Sequence, residues 1–216
     1  MLHIALNPGK AGDATAANVR LAGVALFVLA AQFLTVIMLG PSIAARYDIR
    51  GAAISDLGVI QETRLVFNVS LLLVGALNVI GGLLLYRAHR KAWILALFAV
   101  AGAGAAGAAA FPLDSGGPHG LFALLAFLAF NLQAIAVAST LSGPMRGVSV
   151  LAGAVGLVFV VLMAIGDAGS LQAFGPIGHG GTERMIVYPA MLWMLAFGGY
   201  LMAASDDAPR ADRSDR

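Results

Sequence analysis

The chain has 216 residues, of which 60% are apolar and only 11% charged, with mean hydropathy +0.88 and formal net charge +2. Soluble domains carry about 25% charged residues, so this composition cannot clothe a water-facing surface and points to an integral membrane protein. The few basic residues are scattered and leave no nucleic-acid footprint, while the lack of cysteine excludes disulfides, thiolate metal sites and cysteine nucleophiles.

Residues 1–20 form a short, polar, weakly basic segment with a turn signal at Asn7-Pro8-Gly9. Residues 21–40 then form an apolar run broken only by Gln32 and Thr35. A cleaved leader ending near Ser42–Ala45 is the competing reading. At about 19 residues, however, the run exceeds the usual leader core of 7–15, which favours an uncleaved first span. Five more spans follow at about 64–86, 92–111, 119–141, 147–166 and 184–204. Each is close to the ~20 residues that cross the hydrocarbon as helix. No segment alternates apolar and polar residues as a lipid-embedded barrel would. The expected architecture is therefore all-α, a single bundle of six transmembrane helices in the cell membrane. Residues 205–216 make a charged tail expected to be disordered.

Basic residues set the orientation. With the N-terminus cytoplasmic, the inner segments hold Lys10, Arg20, Arg87, Arg90, Lys91, Arg146, Arg210, Arg213 and Arg216, nine of thirteen, and the outer ones only Arg46, Arg50, Arg64 and Arg184. That bias puts both termini in the cytoplasm. In the third span Ala99, Ala103 and Gly107 recur every fourth residue, with Gly104 and Ala108 as a neighbouring row. Such small-residue rows let helices approach closely. Packing inside the bundle is the plain explanation, and a homo-oligomer seam the alternative.

Acids gather at the outer end. Asp48, Asp56, Glu62, Asp114, Asp167 and Glu183 make six of the eleven, with His119 and His179 beside them, and the cytoplasmic turns between spans hold none. Simple solubility would spread them over both sides. Pro118 suits a first helical position, and His119 after it faces a helix N-terminus that disfavours imidazolium. Glu183 also sits at a helix start. Adjacent helix residues do not face each other, so Arg184 is expected to find a partner elsewhere, Asp56 or Asp114. Glycines 178, 180 and 181 suggest a mobile hinge around His179. Tyr188 lies one turn beyond Arg184, and Asn68 one turn below Arg64. The amides Gln32, Asn68, Asn78, Asn131 and Gln133 are read as interhelical hydrogen-bonding groups.

Ser55-Asp56-Leu57-Gly58, Asn68, the block from Phe111-Pro112-Leu113-Asp114 to His119, and Glu183-Arg184 before Tyr188-Pro189 together resemble the domain-of-unknown-function family numbered 998. Its members are six-helix membrane proteins of bacteria and archaea. The resemblance covers about Leu21 to Ala204 and implies the fold and this outer polar set, without an activity. A looser similarity is to membrane hydrolases related to alkaline ceramidases, which hold zinc with a serine, an aspartate and three histidines. Here Ser55, Asp114, His119 and His179 are present, but the His-xxx-His pair of the final helix and a seventh span are missing.

The expected outer site thus comprises Ser55, Asp56, Asn68, Asp114, His119, Glu183, Arg184 and Tyr188. The favoured function is binding of a lipid headgroup or small extracytoplasmic ligand, with Arg184 pairing an anionic group and membrane lipid as the natural partner. The alternative is a metal-dependent hydrolase with His119 as base or metal ligand, assisted by Asp114, Glu183 or Ser55. No cofactor is called for; zinc on His119, His179 and Asp114 would meet a three-ligand count. A small-molecule transporter ranks third, because no charged residue lies at mid-membrane.

Overall fold

The computed structural model describes residues 10–206. The expected turn at Asn7–Gly9 and the charged tail after 206 lie outside them. Six long helices form: α1 (Lys10–Ile43), α2 (Arg64–His89), α3 (Ala92–Ala110), α4 (Gly117–Ala138), α5 (Pro144–Asp167) and α6 (Gly178–Asp206). All six include a stretch long and apolar enough to cross a membrane, and no strand occurs among the described residues. The expected six-span all-α bundle is what folds. Two helix starts differ from expectation. The first helix begins at Lys10, within the segment 1–20 read as a short polar stretch before the first span. The sixth begins at Gly178, so the glycines expected as a hinge form its first turn.

Each helix packs on its neighbours in sequence, and α6 returns against α1, so the six form a closed ring. Where two helices meet most closely, glycine is what allows it. A Cβ on Gly23 of α1 would stand 2.7 Å from the Gly198 carbonyl of α6, and one on Gly198 equally close to the Gly23 carbonyl. Gly75 of α2 and Gly102 of α3 oppose each other in the same way, at 2.6 Å. In α3, Gly104 abuts the α4 backbone and Gly107 lies under the Phe122 ring, while Ala103 of the same small-residue row is exposed. Lipid gives helices no hydrophobic reason to associate, so this close packing and interhelical hydrogen bonds hold them together.

The buried amides supply those bonds. Asn78 of α2 donates to the Phe98 carbonyl of α3 at 2.8 Å, and it exchanges two 3.1 Å hydrogen bonds with Gln133 of α4. Ser70 donates to Gln32 Oε1 at 2.6 Å, joining α2 to α1. The Trp193 indole donates to Ser149 Oγ at 2.8 Å, joining α6 to α5. The main apolar core, with Leu26, Phe98, Trp193 and Phe197 fully buried, fills the ring. A second, smaller cluster of Val160, Met163, Phe174 and Ile186 lies apart from it, between α5, α6 and the 3-10 turns of Leu171–Ile177.

Replacing Gly75 by leucine drives a side chain into the Gly102 carbonyl. Such overpacking typically costs about 1–3 kcal/mol, so Gly75→Leu is expected to lower the unfolding temperature in thermal denaturation. Leucine at Gly199, where an added Cβ meets nothing within 4 Å, is expected to leave it unchanged.

Candidate functional site

The three connections α1–α2, α3–α4 and α5–α6 meet at one end of the bundle, opposite the turns that carry Arg87, Arg90, Lys91 and Arg146. The first connection is the longest, and non-helical backbone near a membrane must satisfy its polar groups within the protein. Its own acids begin that task. The Asp48 carboxylate accepts from the N–H groups of Arg50 and Gly51, and Asp56 Oδ2 accepts from Ala53 N–H at 2.7 Å.

Helix α6 completes it. Arg184 donates through Nη1 to the carbonyls of Ile49 (3.0 Å), Ala52 (3.3 Å) and Gly180 (2.8 Å), and through Nη2 to the Tyr47 hydroxyl at 2.6 Å. Tyr47 donates onward to the Ala53 carbonyl at 2.6 Å, and its ring lies under the guanidinium. Gly180 N–H donates to the Arg50 carbonyl at 2.9 Å. A Cβ at Gly180 would collide with the Ala52 carbonyl. That glycine therefore admits the loop rather than loosening the helix, which corrects the expected hinge.

Arg184 is buried, and its hydrogen bonds go to three carbonyls and a phenol, not to Asp56 or Asp114 as expected. Its neighbour Glu183 is buried too and turns the other way. Glu183 Oε2 accepts from Ile54 N–H at 2.6 Å, and the Ser55 N–H also faces the carboxylate. Adjacent residues at the start of α6 thus grip the two halves of one loop.

Beneath this loop lie two adjoining cavities that share part of their lining. The larger, about 560 Å³, is lined by Asp56, Asp167 and His179 among polar groups; its volume lies in the ~300–1,000 Å³ range of small-molecule sites. The smaller, about 70 Å³, runs inward between apolar side chains including Phe33, Phe67, Val74 and Met191, with Asn131 at its wall. Ser55, His119 and Glu183 line both. They form a polar threshold between the larger vestibule, which carries acids and His179, and an apolar chamber.

His119 is held for this position. It follows Pro118 in the first turn of α4, as expected, and is 5% exposed. Its Nδ1 lies 2.9 Å from the Phe111 carbonyl. A carbonyl can only accept, so Nδ1 carries the proton, and in the neutral ring Nε2 presents a lone pair. No hydrogen-bond partner for Nε2 occurs among the described residues, and it is not among the occluded unpaired atoms.

The other expected residues lie elsewhere. Asp114 sits exposed on the 3-10 turn of Leu113–Ser115 and lines neither cavity. Asn68 donates to the Gly58 carbonyl at 2.9 Å, tying the loop to α2. Tyr188 packs against the main core. His179 Nε2 lies 3.3 Å from Asp167 Oδ1 at the vestibule rim, both well exposed. Among the described residues no three His, Asp or Glu side chains converge in a way that could hold a metal ion. The expected set of His119, His179 and Asp114 is therefore not assembled. Tyr47 and Asp167 were not singled out as site residues. Tyr47 had no sequence signal beyond its place before Asp48, whereas Asp167 was visible as an acid at a helix end.

The clamp makes two measurable claims. In Arg184→Met each buried acceptor left unpaired costs about 1–3 kcal/mol, so amide hydrogen exchange across residues 47–56 is expected to accelerate, with Arg184→Lys intermediate. Burial raises the Tyr47 hydroxyl above its ordinary value of 10.0, only partly offset by Arg184. A raised phenol pKa contributes stability that is fully present below pH 10.0 and is lost as pH rises through the folded-state value. Loop protection is therefore expected to persist to pH 10.0 and fail above it, and Tyr47→Phe is expected to remove that alkaline transition.

No curated relative and no solved structure matches the chain. A family model described as a protein of unknown function (DUF998) matches residues 21–200. That match covers most of the chain, including both residues of the clamp and all three of the threshold, and places the chain in the DUF998 family of integral membrane proteins of unknown function.

Proposed function

We propose that this protein binds a lipid headgroup or small amphiphilic ligand at the polar end of the bundle, with the ligand's polar part at Ser55, His119 and Glu183. The basic residues at the opposite end favour an orientation with this site on the outer face of the cell membrane and both termini in the cytoplasm. The single observation that carries the reading is the shared threshold: three polar side chains, two of them buried, stand where a 560 Å³ vestibule meets a 70 Å³ apolar chamber. Polar groups at such depth are costly unless they serve packing or function. His119 Nε2 makes no hydrogen bond within the described protein. Arg184, first expected to pair an anionic ligand, belongs instead to the loop clamp and lines neither cavity.

Hydrolysis of the bound molecule is the second reading, favoured by that same available nitrogen beside Ser55 and Glu183. In it His119 would act as a general base without any metal ligand set. Incubation with an ester amphiphile separates the two: a binding protein returns it intact, and a hydrolase releases the acid and alcohol.

Binding is tested by thermal unfolding in nanodiscs against dodecylamine, dodecanol and dodecanoate. At about 100 times Kd a ligand specific for the folded state adds ~2.7 kcal/mol. The wild type is expected to be stabilised by at least one of the three, and His119→Ala and Glu183→Gln to lose that gain while unfolding cooperatively. Equal stabilisation of wild type and both variants would contradict the assignment of the threshold.

A further inference from the structure

The vestibule is not closed on its membrane side. Its wall includes Gly120, Leu124 and Phe127 of α4 and Val160, Ala164 and Asp167 of α5. Of these Gly120, Leu124, Ala164 and Asp167 are exposed. Helices α4 and α5 are neighbours in the ring, so a cavity lined by their exposed residues reaches the outside between them. Each stretch covers two turns, about 10 Å of helix, within segments apolar enough to lie in hydrocarbon. The seam is thin. Only 22% of the α5 window is buried, the least of the six, and its apolar contacts here belong to the small second cluster rather than the main core.

Charge in the cavity is one-sided. Asp56, Asp167 and Glu183 line the vestibule, His179 stands against Asp167, and among the described residues no Lys or Arg lines it. Arg184 is withdrawn into the loop clamp. His119 Nε2, with Nδ1–H on the Phe111 carbonyl, is an acceptor, as is the Glu183 carboxylate on the same cavity wall. A ligand headgroup here meets acceptors and negative charge, which select a donor or cation and reject an anion. The apolar chamber behind the threshold, at about 70 Å³, falls well short of the ~300 Å³ at which small-molecule sites begin, so a long chain stays on the vestibule side.

We propose that the site takes a single-chain amphiphile with an amino headgroup, admitted sideways from the adjoining leaflet through the cleft between α4 and α5. The amine donates to His119 and Glu183 at the threshold, and the chain lies along the vestibule past Phe127, Val160 and Met163 toward the cleft. This rests on the binding reading above and adds to it the headgroup class and the route. The vestibule also reaches the loop end, where exposed Gly51 and Leu113 line it, so the test must distinguish the two routes.

The absence of cysteine permits a reversible plug. Ala164→Cys places one thiol at the lip of the cleft, and a bulky methanethiosulfonate reagent blocks it after folding. Uptake of dodecylamine or dodecanoate from phosphatidylcholine nanodiscs is followed over time by native mass spectrometry. A second plug is Gly120→Trp, since an added Cβ at Gly120 meets nothing within 4 Å and the fold should tolerate it. The unplugged protein is expected to take up dodecylamine in preference to dodecanoate. The adduct and Gly120→Trp are expected to slow uptake roughly tenfold, about 1.4 kcal/mol in barrier, and thiol reduction to restore it. Uptake unaffected by either plug overturns the route while leaving the binding reading intact. Dodecanoate bound as well as dodecylamine overturns the headgroup class alone. If neither binds and dodecanol does not either, the binding reading fails together with this one.

Discussion

The polar end of this protein depends on one buried guanidinium. Arg184 satisfies three backbone carbonyls and the Tyr47 hydroxyl from the first turns of α6. In doing so it fixes a connection of some twenty residues that would otherwise present bare peptide groups at the membrane boundary. Arginine suits the task because its planar head offers several donors at fixed angles, which lysine does not. Once residues 47–53 are fixed, Ile54 N–H has a defined position. Glu183 then binds it and brings Ser55 to the cavity wall. The adjacent residues of the Glu-Arg pair thus have separate tasks, one anchoring the loop and one joining it to the cavity.

The ring of helices sets what that cavity can be. Close glycine contacts draw α1 to α6 and α2 to α3, and the Asn78–Gln133 exchange ties α2 to α4. These contacts make one side of the ring tight. Gly153 and Gly156 bring α5 close to Asn131 of α4 as well, but more of the side chains of α5 face outward than in any other span. The vestibule opens on that lighter side, next to the threshold of Ser55, His119 and Glu183. Rigid support on one side and a seam on the other is an arrangement suited to receiving a molecule from the membrane.

Much of the architecture was legible because hydropathy is summed over many residues and tolerates local error. Six spans, their approximate limits and the family all followed from apolar runs and a handful of motifs. The site was legible only in part. Ser55, His119 and Glu183 stood out as polar groups next to apolar runs, and they do share a wall. Asp114 stood out for the same reason, yet its side chain is exposed on the neighbouring turn, because sequence locates a residue at a helix end without saying which way it points. Arg184 was recognised as important and given the wrong kind of partner. A search for carboxylates overlooks backbone carbonyls, which any residue supplies and no sequence pattern marks. Gly180 is ambiguous for a related reason: conformational freedom and close approach call for the same residue, and the nearby Ala52 carbonyl shows which of the two it serves, whereas Gly178 has the positive φ that favours glycine.

The central claim is that His119 offers Nε2 to a ligand at the threshold, while Nδ1–H is spent on the Phe111 carbonyl. Nitrogen NMR of histidine-labelled protein in nanodiscs reads this directly, since the chain has only four histidines and His119→Gln assigns the signal. Nδ1 is expected to carry a proton held on the Phe111 carbonyl, and the Nε2 resonance to move when dodecylamine is added while Nδ1 stays in place. A ring protonated at Nε2, or an Nε2 signal unmoved while dodecylamine is bound, would contradict it.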